Sequence, residues 1–94
     1  MKRVKTQKWD VNVTNEIFEI KIASTNLRNI ITNWDKVVKY VDLYKNGNTD
    51  YPSVILEKYK DTEHFEIIDG AHRIKALDFL GLKNVKANLV INHN

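Results

Sequence analysis

Five consecutive residues, Asp69-Gly70-Ala71-His72-Arg73, hold the densest chemistry in this chain of 94 residues. A hydrophobic run, Phe65-Glu-Ile-Ile68, leads into them, and a helical pattern leads away. Gly70 tolerates the positive φ that a sharp strand-to-helix turn often requires. The residues after it form a first helical turn, whose backbone N–H groups have no partner one turn back. Those donors and the positive end of the helix dipole make an anion site. Arg73 adds a rigid fork of donors matched to phosphate oxygens. His72 adds another donor and gains charge near neutral pH. Asp69, at the carboxyl end of the strand, is placed to hold Mg²⁺ or to accept a proton, and ligands of α/β sheets favour this edge. The plainer alternative makes Asp69 a helix cap and leaves His72 and Arg73 on a solvated face. Against it, the dipole disfavours two cationic donors at this end unless an anion is bound.

The elements that must position these residues are legible as periodicities. Phe18, Ile20 and Ile22 alternate with Glu19 and Lys21, which predicts a half-buried strand. Ser24 to Thr32 reads as a polar loop with a helical turn in it. Thr32-Asn-Trp-Asp35 opens a helix as a capping box, with Thr32 as the cap. Trp34, Val37, Val41 and Tyr44 then make one apolar face, assigned to the core, and Tyr40 falls off it toward solvent. Lys36, Lys39 and Lys45 form a solvated face. Asn46-Gly47-Asn48 ends the helix. Pro52 precedes a strand over Ser53–Tyr59, a polar turn and a second strand over His64–Ile68, a hairpin pattern. Ile74, Leu77 and Leu80 mark the helix after Gly70, closed by Gly81. Val85, Ala87, Leu89 and Ile91 form the last strand. The order β-α-β-β-α-β predicts a small α/β (α+β) domain, helices packed on a mixed sheet, over residues 16–94. Residues 1–15 read as a basic arm or extension.

Composition narrows the classes further. Hydrophobic residues are 43% and charged residues 29%, which excludes wholesale disorder. No apolar run reaches the roughly 18 residues of a membrane span, so no membrane partner is expected. The basic start has no apolar region of a secretory signal behind it. The absence of cysteine excludes thiol catalysis, and it fits a reducing, cytoplasmic setting. No His/Asp/Glu cluster has metal-ligand spacing. The net charge of +3 is modest, but Lys2, Arg3, Lys5 and Lys8 crowd the start and are the candidate nucleic-acid contacts. Aromatic residues, Trp34 among them, suggest base stacking only as a secondary reading.

Residues Pro52 to Ile91 resemble the core of the ParB/sulfiredoxin superfamily. The resemblance is carried by Ile68-Asp69-Gly70-Ala71-His72-Arg73-Ile74-Lys75-Ala76-Leu77-Asp78-Phe79-Leu80-Gly81, with the Trp34–Lys45 helix where the family has one. Sulfiredoxins carry a cysteine where this chain has Ala71, so the resemblance does not extend to sulfinic-acid reduction. Chromosome-partitioning ParB proteins bind CTP and carry Gly-x-Arg-Arg where this sequence has His72 in third place. No helix-turn-helix pattern follows the last strand. The loop is most similar to that of ParB-like free serine kinases, where it binds nucleotide phosphates and the Asp takes part in phosphoryl transfer. Those kinases also use a catalytic Glu between the first strand and first helix. Ser24 to Trp34 contains no acid, and Arg28 is the one stand-in for a family arginine.

Two functions follow as expectations. One is a nucleotide-binding domain, taking ATP, ADP or CTP with Mg²⁺, with Asp69 as the catalytic residue and Gly70, Ala71, His72 and Arg73 on the phosphates. Its chemistry would be NTP hydrolysis or phosphoryl transfer. The alternative is a non-catalytic module binding DNA or a host protein, of the kind a phage or mobile element uses to regulate or inhibit a host system.

Overall fold

The uninterrupted apolar run Val54-Ile-Leu56 becomes part of an inner strand, as its lack of alternation requires. In the computed structural model, which describes residues 2–5, 10–46, 52–59 and 61–92, this strand is β4. The full order is β1 (Lys2–Lys5), β2 (Asp10–Val13), β3 (Phe18–Lys21), α1 (Trp34–Lys45), β4 (Val54–Tyr59), β5 (Phe65–Asp69), α2 (Ala71–Phe79) and β6 (Asn84–Asn92). Two short 3₁₀ turns, Ile22–Ser24 and Leu27–Asn29, lie between β3 and α1. The main sheet has the order β3-β6-β4-β5. β3 and β6 are antiparallel, β4 and β5 form the expected hairpin, and β4 runs parallel to β6. The fold is a mixed sheet with two helices packed on it.

Alternation places the core. Val54 and Leu56 of β4 and Val85, Ala87 and Leu89 of β6 meet Val37 and Tyr44 of α1 and Ile74 and Leu77 of α2 in one buried cluster. The residues between them on β6 stay at the surface or half-buried. Tyr40 packs against this core and stacks on Tyr44, with ring centroids 5.9 Å apart. Its placement on the solvent side is therefore corrected. Trp34 is corrected in the opposite direction: it is 59% exposed. The 3.6-residue period put it on the apolar stripe, but as the first residue of α1 it sits at the seam with α2, beside Lys75, with much of its ring open to solvent.

The start of α1 differs from the expected box by one residue. Asn33 is the cap, its Oδ1 accepting from the Asp35 amide at 3.1 Å. The Thr32 hydroxyl instead donates to the Ile30 carbonyl. At the far end of α2, Gly81 at φ 90° closes the helix as anticipated. The Gly81 amide donates to Asp78 and the Leu82 amide to Leu77, the paired bonds that satisfy a helix's last carbonyls.

Residues 1–15 read from the sequence as a basic arm or extension; their described part holds an antiparallel hairpin, Lys2 opposite Val13 and Lys5 opposite Asp10. Val13 is fully buried, and the Thr14 amide donates to the Leu89 carbonyl of β6. The hairpin is a separate two-stranded sheet; four residues per strand are too few for their period to stand out, and the bonds between Thr14 and Leu89 tie it to β6. Among the described residues no helix is long and apolar enough to cross a membrane.

Candidate functional site

The candidate site begins with the backbone at Gly70, which has φ 101° and ψ 16° and is the cap of α2. A Cβ there would lie 2.5 Å from Val54 Cγ1 and 2.9 Å from Val54 Cβ. Glycine is thus required twice, by the left-handed conformation and by the approach of β4. Just before it, β5 carries an irregularity: Ile55 faces Asp69 while Leu56 faces Ile67, leaving Ile68 as the extra residue. A bulge increases local twist and re-aims the side chain beside it, here Asp69.

From this bend the chain enters α2 directly. The Ile74 amide closes the first turn on the Gly70 carbonyl at 3.0 Å. The amides of Ala71, His72 and Arg73 precede it and have no intrahelical acceptor. Asp69 does not cap them. Its half-buried carboxylate makes no hydrogen bond or ion pair among the described residues.

The two cationic candidates turn to different neighbours. Arg73 Nη1 donates to the Pro52 carbonyl, just before β4, at 2.9 Å. His72 Nε2 accepts from the backbone amide of Asn33 at 3.1 Å. The imidazole was expected as a donor; at Nε2 it is an acceptor, which places the ring proton of the neutral form on Nδ1. Neither side chain is used up by these bonds. Arg73 keeps its remaining N–H donors, and His72 keeps Nδ1–H.

The His72 bond joins the N-terminus of α2 to that of α1. The two helices then run alongside each other in the same direction. Asn33 meets His72, Lys75 Nζ lies 5.9 Å from the Trp34 ring centroid, and Val37, Val38 and Val41 line a hollow with Phe79. Two positive dipole ends therefore converge beside His72. The sequence reading missed Asn33. The available signal was an Asn two residues before an Asp at the head of an apolar helix stripe, a cap pattern as good as the Thr32 one.

The other sequence-derived candidates lie elsewhere. Arg3 and Lys5 are exposed on β1, with no bond among the described residues to the Asp69–Arg73 turn. The Lys2 side chain and all of Lys8 lie outside the described residues. Arg28 lines a larger groove, about 390 Å³, at the other end of α2, with Lys21, Lys83 and Asp78 among its neighbours. Between β3 and α1, Asn26 bonds the edge of β5 through both its side chain and its backbone. Its Oδ1 accepts from the Ile67 amide at 2.9 Å, its Nδ2 bonds Glu66, and its own amide donates to the Phe65 carbonyl. This fastens the loop before α1 to β5. Tyr59, five residues along β4 from the bend, titrates above the ordinary tyrosine value because of its hydrogen bond to Glu57 and that carboxylate's charge. Among the described residues no group of His, Asp and Glu is arranged to hold a metal ion by itself.

No family model and no curated protein matches the sequence. Solved structures do match its shape. A free serine kinase in complex with AMP superposes with a TM-score of 0.69 at 17% identity, over 90% of this chain and 35% of its own. Sulfiredoxin from Arabidopsis thaliana gives 0.61 at 18% identity, over 79% of this chain and 83% of its own. C-terminally truncated ParB from Caulobacter crescentus, complexed with CTP-γ-S, gives 0.64 at 14% identity, over 85% and 47%. The chain thus spans about a third of the kinase and about half of the ParB fragment. The fold is ParB/sulfiredoxin-like.

Proposed function

We propose that this domain binds a nucleotide by its phosphates at the N-terminus of α2. The observation that carries the reading is Arg73, a cation held by its bond to the Pro52 carbonyl at a helix end where cations are disfavoured, with His72 fixed beside it by the Asn33 amide. An anion reverses that penalty. The three first-turn amides and the remaining Arg73 donors then have an acceptor. The solved relatives in complex with AMP and CTP-γ-S support a nucleotide as the anion.

The donor set also suits Mg²⁺. This ion keeps several waters and typically takes one or two carboxylates plus phosphate oxygens. The unpartnered Asp69 carboxylate is such a ligand, and a three-carboxylate cage is not needed. Bound there, Mg²⁺ would neutralise phosphate charge; Asp69 would hold it or take a proton from an acceptor hydroxyl. The activity that follows is NTP hydrolysis or transfer to a small hydroxyl, with positioning and charge stabilisation as the means.

Calorimetric titration with ATP, ADP and CTP in the presence of Mg²⁺ tests the reading. At least one is expected to bind, and Arg73→Ala to weaken it about tenfold or more, the scale of a lost charge-assisted hydrogen bond. Heat-silent titrations with all three would refute it.

A second reading, a non-catalytic DNA-binding or protein-interaction module from a phage or mobile element, is favoured by one observation. Between β3 and α1 the chain offers no carboxylate, and Asp35 lies in the first turn of α1 with its amide on Asn33. A gel shift across salt concentrations separates the two readings, since phosphate-backbone binding weakens steeply as salt rises.

A further inference from the structure

Trp34 is a large apolar side chain left 59% exposed at the head of α1, in a protein with a core available to it. Its backbone neighbour Asn33 carries the amide that meets His72. Lys75, one turn beyond His72 on α2, holds its ammonium 5.9 Å from the indole centroid. Such a cation–π contact fixes the ring and covers one of its faces. Beyond the indole, Val37, Val38, Val41 and Phe79 complete a hollow of about 160 Å³. Phe79 is 72% exposed and Val38 56%. The seam between the helices is therefore graded: free amides and His72 at the head, then Lys75, then an open indole, then an apolar hollow.

We infer that Trp34 is the base platform for the nucleotide whose phosphates lie at the head of α2, and that the site selects bases by stacking area. The inference rests on the phosphate reading above. The occupant follows from continuity, because a nucleotide is graded in the same order, from phosphates through a sugar to a flat apolar ring. Exposed apolar surface of this size costs free energy in water, and a stacked base removes it. Apart from the indole N–H of Trp34, the side chains lining the hollow, Val37, Val38, Val41 and Phe79, carry no hydrogen-bonding groups. A base on Trp34 is thus recognised by its π-face rather than its donor and acceptor pattern. ATP and GTP should bind alike, and both more tightly than CTP.

The test compares nucleotides with inorganic tripolyphosphate, all with Mg²⁺, by calorimetry. Trp34→Ala is expected to weaken ATP binding about tenfold or more, within the range measured for losing one stacked base. It should leave tripolyphosphate affinity unchanged and erase the preference of ATP over CTP. Trp34→Phe should restore part of the loss. Arg73→Ala should weaken ATP and tripolyphosphate alike. If Trp34→Ala leaves ATP affinity intact while Arg73→Ala reduces it, the platform is overturned and the phosphate site stands. Equal losses for ATP and tripolyphosphate in Trp34→Ala would make Trp34 a structural residue and also overturn the platform. If the wild-type protein binds neither compound, the phosphate reading itself fails.

Discussion

The two ends of α2 carry cations for opposite reasons. At the C-terminal end, Lys83 follows the Gly81 turn, and Lys21 and Arg28 face the same groove. None of the three forms an ion pair among the described residues. None needs a ligand to explain it, because the negative end of the helix dipole favours positive charge. At the N-terminal end, the same dipole opposes Arg73. There the cation is tied down to the Pro52 carbonyl, and the neutral His72 ring beside it accepts from the Asn33 amide. The larger groove lies where charge is already satisfied by the fold. The N-terminal end, where Gly70 packs against Val54, is where charge is out of place. Misplaced charge held in position is the better guide to a site than the size of a depression.

The largest expected contrast between the ends concerns their glycines. Gly70 and Gly81 have similar positive φ, 101° and 90°. A Cβ on Gly70 collides with Val54, whereas one on Gly81 meets nothing within 4 Å. Gly81→Ala should cost about 1–2 kcal/mol for the left-handed backbone alone. Gly70→Ala should cost about 3 kcal/mol or more, the same backbone term plus overpacking. Urea unfolding of both variants reads the difference, and equal losses would break the contrast.

Ligand binding gives the next contrast. Arg73→Ala should lower ATP affinity about tenfold or more, whereas Lys83→Ala should leave it unchanged in the same titration. Loss of binding in the Lys83 variant would move the site to the groove. Stability of the α1 head comes third. Asn33→Ala should cost about 1 kcal/mol through the lost cap, measured by denaturant midpoint. A cost near zero would mean that the Asp35 amide finds water as good a partner. The smallest effect belongs to Lys83→Gln, about 0.3 kcal/mol of lost dipole stabilisation. It should vanish in high salt, where exposed charges are screened.

Much of this layout is legible in the sequence because its signals are local. The β4–β5 hairpin follows from two apolar runs around a polar turn, and the α2 boundaries follow from Gly70 and Gly81. The bend at Gly70 is readable for the same reason, as φ > 0 is a property of one residue. The tertiary pairings are less accessible. Nothing near His72 in the chain signals Asn33, thirty-nine residues away, as its partner. The exposure of Trp34 is hidden because helical periodicity reports a face but not which residues along it are covered. The Asn26 clasp on β5 is invisible for a similar reason: an Asn in a polar loop has the same appearance whether it meets a strand edge or water. The N-terminal hairpin shows the limit for short strands, which are tied to the main sheet through Thr14 and Leu89 rather than marked by a period of their own.

An amide-resolved NMR titration with ATP and Mg²⁺ tests the central claim most directly, since it reports both ends of α2 at once. The account predicts the largest shifts at Gly70, Ala71, His72 and Arg73, with Asn33 following through its bond to His72. Shifts concentrated at Lys21, Arg28 and Lys83, or none at saturating ATP, would contradict it.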